Sequence, residues 1–408
     1  MSRMIIFACS LLLFAHPVRA ITLNEAVDLA LRNNPDLQSV RLEKDAAQGR
    51  LDQAGLWLRS NPVVGGSRSH KDTVPGGAEK ATNYGFSLSQ EFEIAGQRGL
   101  RMAAATSGME KAGQDICNAQ RVLVAQVKDV FAQALAAKRK AVLADEAVRL
   151  QEQLFASAAV KLQAGEISQL EQNLAAVELG KARKERLRGE SDLRKVLSDL
   201  QGLLGEPIRS DFSVEGELPA EAPAVPAKEQ LWSLAISQRS DVLSASAEVA
   251  QARAAMKLAG RTAMPSFTVT GFYQQDDKLN ETGVMVSFPL PLFDRKQADR
   301  KEAAAKAEQA LIRRASLERA IERELEEAYE DFVAASEELS LFKQDVLEKA
   351  LENLGLMNLA FQEGKFGFFE VRLAQKDTID VQFAYLESQV QLQLALNALE
   401  KVTGGNLK

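Results

Sequence analysis

The chain has 408 residues, 26% of them charged, and a formal net charge of −6 at pH 7. That mildly acidic balance excludes a nucleic-acid partner of the usual basic kind. A composition rich in Ala, Leu, Gln, Glu, Lys and Arg, with only 11 prolines, favours long helices.

Residues 1–20 read as a secretory signal: Arg3 supplies the positive start, Ile5 to Ala15 an apolar run too short to span a bilayer, and Val18-Arg19-Ala20 a cleavage site with small residues. Cys9 lies inside the apolar run, so cleavage after Ala20 leaves Cys117 as the only cysteine and no intramolecular disulfide. Beyond the signal, no stretch approaches the roughly 18 to 20 apolar residues of a membrane-spanning helix. Insertion into lipid would therefore require a closed β-barrel, because lipid tolerates no unpaired backbone.

The mature chain repeats one plan at an offset of about 200 residues. Leu29-Ala30-Leu31-Arg32-Asn33-Asn34-Pro35-Asp36-Leu37 returns as Leu234-Ala235-Ile236-Ser237-Gln238-Arg239-Ser240-Asp241-Val242, and Ser89 to Arg98 as Ser287 to Lys296. Leu162-Gln163-Ala164-Gly165-Glu166, with Glu171 further on, returns as Phe361-Gln362-Glu363-Gly364-Lys365 with Glu370. The expected units are a first repeat over 21–204, a proline-rich linker over 205–228, a second repeat over 229–404 and a tail over 405–408.

Each repeat reads as helix, two strands, very long helix, tight turn, long helix. The first helix opens on the capping box Thr22-Leu23-Asn24-Glu25 and is expected to run to about Ser60, where Asn61-Pro62 stops it. Strands follow, the weakest signal being Val63-Val64-Gly65-Gly66-Ser67. Tyr84, Phe86 and Leu88 alternate with Gly85, Ser87 and Ser89. In the second copy Phe267, Val269 and Tyr273 alternate with Ser266, Thr268 and Thr270, and Val284, Val286 and Phe288 with Gly283, Met285 and Ser287. One apolar face and one small, polar face, joined by turn-rich segments, is the pattern of membrane hairpins; alone it also fits the edge of an ordinary sandwich.

From Gln97 to about Lys161 no proline intervenes, and Ile116, Leu123, Val127, Val130, Ala134, Ala137, Ala141, Ala144 and Val148 trace a coiled-coil seam in which Gln120 is the polar exception. Its counterpart carries Ile321, Leu325, Ala328, Phe332, Ala335, Leu339, Phe342 and Val346. At 1.5 Å per residue, a helix of roughly 65 residues extends about 100 Å, a rod no compact domain needs.

These features resemble the TolC-like outer-membrane efflux protein family over nearly the whole mature chain. The resemblance is carried by Leu23-Asn24-Glu25-Ala26 through Asn34-Pro35-Asp36-Leu37 and by the paired tips Gly165 and Gly364. Phe92-Glu93-Ile94-Ala95-Gly96-Gln97-Arg98 is similar to the branch serving cobalt-zinc-cadmium type pumps. The resemblance implies an α+β membrane protein: a homotrimer in the outer membrane, four strands per chain sharing a twelve-stranded barrel, and a long coiled-coil helical barrel reaching into the periplasm. It also implies a periplasmic adaptor and an inner-membrane transporter of the RND type as partners, outer-membrane lipid as surroundings, heavy-metal cations as cargo and no cofactor. A type I channel exporting a protein or peptide has the same architecture. A soluble periplasmic coiled-coil adaptor has no use for an apolar outer band.

By the same resemblance, Glu171 and Glu370 are candidates for a periplasmic constriction, in which rings of carboxylates would attract cations; each also fits an ordinary solvated glutamate at a helix N-terminus. Asp377, seven residues past Glu370 and on the same helix face, is the candidate for a second ring. Ala164, Gly165, Glu363, Gly364 and Lys365 are candidate adaptor contacts. Arg98 and Arg101, with Arg295, Lys296 and Arg300, are basic clusters placed for lipid phosphates or for a solvated helix face. His70 and Cys117 make no metal site, for want of clustered ligands. No phosphate loop and no nucleophile beside a base is present, so the reading is of a conduit, not an enzyme, moved by a partner's energy.

Overall fold

The structure, a computed structural model, describes residues 19–71, 81–276, 279–343 and 346–405. Most of the expected signal, residues 1–18, and the tail beyond 405 lie outside the described residues. Arg19–Ile21 forms a short strand, β1, and two helices follow: α1 (Leu23–Asn33) and α2 (Pro35–Gly55).

The single helix expected from Thr22 to about Ser60 is thus two helices, and α2 ends earlier than expected. The break lies at Asn34-Pro35. Pro35 cannot donate to the ladder and clashes with a preceding helical turn, so Asn34 is extended (φ −59°, ψ 123°) and caps the new helix by accepting from the Leu37 N–H at 3.0 Å. The capping box at the start of α1 is present, with Thr22 N–H donating to Glu25 and the Glu25 N–H to the Thr22 hydroxyl.

Strands β2 (Val63–Lys71) and β3 (Ala81–Phe92) lead into α3 (Gln97–Gln163), which turns at Gly165 into α4 (Gln169–Leu204). The 67 residues of α3 extend about 100 Å. The linker contains a three-residue strand, β4 (Phe212–Val214), parallel to β1. The second copy repeats the order: α5 (Lys228–Gln238), α6 (Ser240–Arg261), β5 (Phe267–Asp276), β6 (Leu279–Ser287), α7 (Gln297–Lys343), α8 (Val346–Gln362) and α9 (Phe368–Thr403). α7 opens two residues beyond Arg295, the sequence counterpart of Gln97.

The four long strands form one antiparallel sheet in the order β2-β3-β5-β6, so β3 on β5 joins the copies and β2 and β6 are the edges. The register puts Val64, Phe86, Leu88, Tyr273, Val284 and Val286 on one face, where Val64 is 78% and Val284 73% exposed. Ser87, Ser89, Thr270 and Gly283 share the other, and Ser89 and Thr270 hydrogen-bond across strands at 2.9 Å.

Below the sheet the copies build equivalent cores. In the first, Ile21, Ala30, Leu37, Leu123, Val127, Leu200 and Leu204 bring together β1, α1, α2, α3 and α4; in the second, Leu231, Leu325, Phe332, Leu392 and Leu399 are packed among α5, α7 and α9. Of the second-copy seam, Ile321, Leu325, Ala328, Phe332, Ala335 and Leu339 are buried, whereas Val346 is exposed. Among the described residues no helix is long and apolar enough to cross a membrane.

Candidate functional site

The two hairpin turns use the same backbone device. At each, a glycine adopts left-handed geometry, Gly165 at φ 75° and Gly364 at φ 74°. The next residue then donates back five positions, Glu166 N–H to the Lys161 carbonyl at 2.9 Å and Lys365 N–H to the Ala360 carbonyl at 2.8 Å. A side chain with a Cβ resists that geometry, which is why glycine stands at both turns. Ala164, Gly165, Glu363, Gly364 and Lys365 are all exposed, and Lys365 pairs with Glu363 at 2.6 Å.

The tips stand together. Leu154, Ala158 and Ala175 of the first hairpin pack against Phe361, Phe368 and Val371 of the second, with Phe368 only 1% exposed. Lys161 lies over the Phe361 ring at 4.6 Å, Arg372 pairs with Glu178 at 3.0 Å, and Gln151 donates to Gln375 at 3.2 Å. Sequence reasoning missed this weld. Phe368 is the signal it offered, an aromatic residue at the start of a helix with a second copy of the tip elsewhere in the chain.

The acidic candidates differ in their surroundings. Glu171 closes a capping box on α4: Ser168 donates to it from its N–H at 2.7 Å and from its hydroxyl at 2.8 Å, and these bonds lower its carboxyl pKa. Gly367 replaces that serine in the second copy, so Glu370 has no such hydroxyl partner, and its carboxylate folds over the bare glycine. Glu370 and Asp377 are both exposed and, seven residues apart, share one face of α9.

At the other end of α9, Arg239 is buried and grips Asp241 through two bonds of 3.0 and 2.6 Å, reaching Glu324 at 2.8 Å and the Val402 carbonyl at 3.4 Å. Arg121 joins the same carboxylate at 3.3 Å and the Lys401 carbonyl. Burial alone would raise the Asp241 pKa, but the bonds from Arg239 and the two cationic charges outweigh it and hold the carboxyl below its ordinary range. Asn34, the counterpart of Arg239, donates to the Leu203 carbonyl at 3.0 Å, so each repeat clasps the end of its last helix with the same position.

Of the basic clusters, Arg98 donates to the Gly55 carbonyl at the end of α2 and Arg101 is paired with Glu93 at 2.5 Å, while Arg295, Lys296 and Arg300 are exposed. His70 lies 3.3 Å from the Thr82 hydroxyl across the sheet, and Cys117 is exposed. Among the described residues no group of three His, Cys, Asp or Glu side chains is placed to hold a metal ion.

The sequence that folds into this sheet and these two hairpins matches the family Outer membrane efflux protein over residues 26–206 and 231–405. The chain belongs to the outer membrane efflux protein family. Its members are channels, not enzymes, and this efflux protein is a protein of the outer membrane whose helices extend into the periplasm. It is 25% identical over 398 residues to the cobalt-zinc-cadmium resistance protein CzcC of Cupriavidus metallidurans, covering 94% of this chain and 90% of the relative. Its fold is shared with CusC at a TM-score of 0.81 and 17% identity, covering 94% of this chain and 92% of that one. A membrane protein of Pseudomonas aeruginosa gives a TM-score of 0.79 at 21% identity, covering 94% and 90%. The open state of the Neisseria gonorrhoeae channel MtrE gives 0.78 at 18%, covering 95% and 89%.

Proposed function

We propose that the efflux protein works as a homotrimeric exit duct of a tripartite pump, in which three four-stranded sheets pool into a twelve-stranded barrel through the outer membrane. The observation that carries this reading is the sheet itself. It exposes Val64, Phe86, Leu88, Val284 and Val286 on one face and leaves β2 and β6 as edges. A four-stranded sheet cannot close alone, and open edges are untenable in lipid, so identical neighbours must complete the ring.

The welded hairpins continue the opening inward, with Gly165, Gly364 and their neighbours Ala164, Glu363 and Lys365 presented to a periplasmic adaptor. An inner-membrane transporter of the RND type supplies the energy. Glu370 and Asp377 face the narrow end as carboxylate rings that favour cations; Glu171 is the weaker member because its carboxylate is engaged in capping α4. Heavy-metal cations are the cargo supported by the likeness to a cobalt-zinc-cadmium resistance protein. They pass without being tightly held.

A strain lacking the protein tests the substrate. Lowered tolerance to cobalt, zinc or cadmium with unchanged tolerance to organic drugs is the expected result. The reverse pattern would remove metals from the account.

A further inference from the structure

The internal repeat specifies how two subunits meet, because the joint between copy one and copy two inside the chain is a template for the joint between chains. Ser89 and Ser287 correspond and stand 198 residues apart; their cross-strand partners Val63 and Thr268 stand 205 apart. The helices keep both spacings. Leu37 packs with Ala119 and Leu123 in the first copy, and Val242 packs with Leu317 and Ile321 in the second. β2 therefore maps onto β5, and β3 onto β6, by the spacings that the packing within the rods keeps, and the two-residue difference between the starts of α3 and α7 is confined to the turn before each helix.

Within the chain, β3 lies antiparallel on β5 with Tyr84 opposite Gln275, and in the next position along that register Asn83 donates to the Asp276 carboxylate at 2.8 Å. Moving this joint by the two spacings places β6 antiparallel on β2 of a neighbour. Asn83 becomes Glu281, and Asp276 becomes Lys71. A hydrogen-bonded polar pair inside the chain thus becomes a pair of opposite charges between chains.

We infer that β6 joins β2 of the next subunit in the register that sets Glu281 opposite Lys71 of the partner subunit. The same register sets Val284 opposite Arg68 of the partner subunit. Two further observations agree. Val284 and Arg68 lie on the same, outward face of the sheet, so the joint preserves the apolar band. Lys71 already leans across its own sheet to Asp276 at 2.5 Å, on the face that carries Glu281 in β6, so the acidic residue of the partner meets a cation already held there. Like charges at this position would oppose pairing; opposite charges directly across a sheet favour it. The inference rests on the trimeric reading and adds its register.

The test uses full-length protein in detergent with Cys117→Ser, which leaves the mature chain free of cysteine. Val284→Cys is combined in turn with Arg68→Cys, Gly66→Cys and His70→Cys, all on one face of β2. On mild oxidation the Arg68→Cys combination should give covalent dimers and trimers at least tenfold faster than the other two. Faster linking at 66 or 70, or no linking at all in particles whose mass is that of three chains, overturns the register and leaves the trimer standing. Particles with the mass of one chain overturn the trimeric reading itself.

Discussion

Truncating Phe368 tests whether the two hairpins are held as one unit at the periplasmic end. Its ring is 1% exposed and lies among Leu154, Ala158 and Ala175 from one hairpin and Phe361 and Val371 from the other. Phe368→Ala removes that ring from a packed site, a change that costs about 3–5 kcal/mol. Because every neighbour belongs to a hairpin end, the loss should fall on local opening of the tips and not on the sheet. At about 1.4 kcal/mol per decade, amide exchange in the tips should accelerate by roughly two to four orders of magnitude. Hydrogen exchange read by mass spectrometry on the detergent-solubilised protein separates the regions. The acceleration should appear in peptides around 154–175 as well as 361–371, with strands β3 and β5 unchanged. Acceleration confined to the second hairpin would refute the weld, and so would none at all.

Gly364→Ala and Gly165→Ala should each destabilise the turn by about 1–2 kcal/mol, since both glycines are left-handed. Gly355→Ala, in the interior of α8 with open space around it, should instead stabilise by about 0.5–1 kcal/mol; chemical denaturation of the three variants reads the contrast. Asp241, whose folded pKa is depressed, contributes stability that is present above its unfolded value of about 3.9 and is lost as pH falls through the folded value. Asp241→Asn should therefore lower stability at neutral pH and flatten its decline below about pH 4, measured as unfolding midpoint against pH. Glu370→Lys in reconstituted channels should lower the preference for cations over anions in reversal-potential measurements; an unchanged preference removes Glu370 from the constriction.

Much of this architecture was legible in residue order because it depends on local rules. The capping box at Thr22 and Glu25, the glycines at 165 and 364, the alternation through Tyr84 to Ser89 and the seam through Ile321 to Leu339 each encode an element by short-range chemistry. The break at Asn34-Pro35 was legible by the same rules, a capping asparagine followed by proline at the first helical position, but the continuing apolar pattern concealed it. The clasp around Arg239 was not. Its partners Glu324 and Val402 lie far along the chain, and only the packing of α6, α7 and α9 brings them together. The proposed constriction depends on a further level, since carboxylates of Glu370 and Asp377 could form rings only among several chains.

The most direct measurement is an image of the native particle in detergent. Three copies of the chain around a threefold axis, with twelve strands enclosing a hole that runs on between the helices, is the result expected. A single water-soluble chain with its sheet edges unpaired would contradict it.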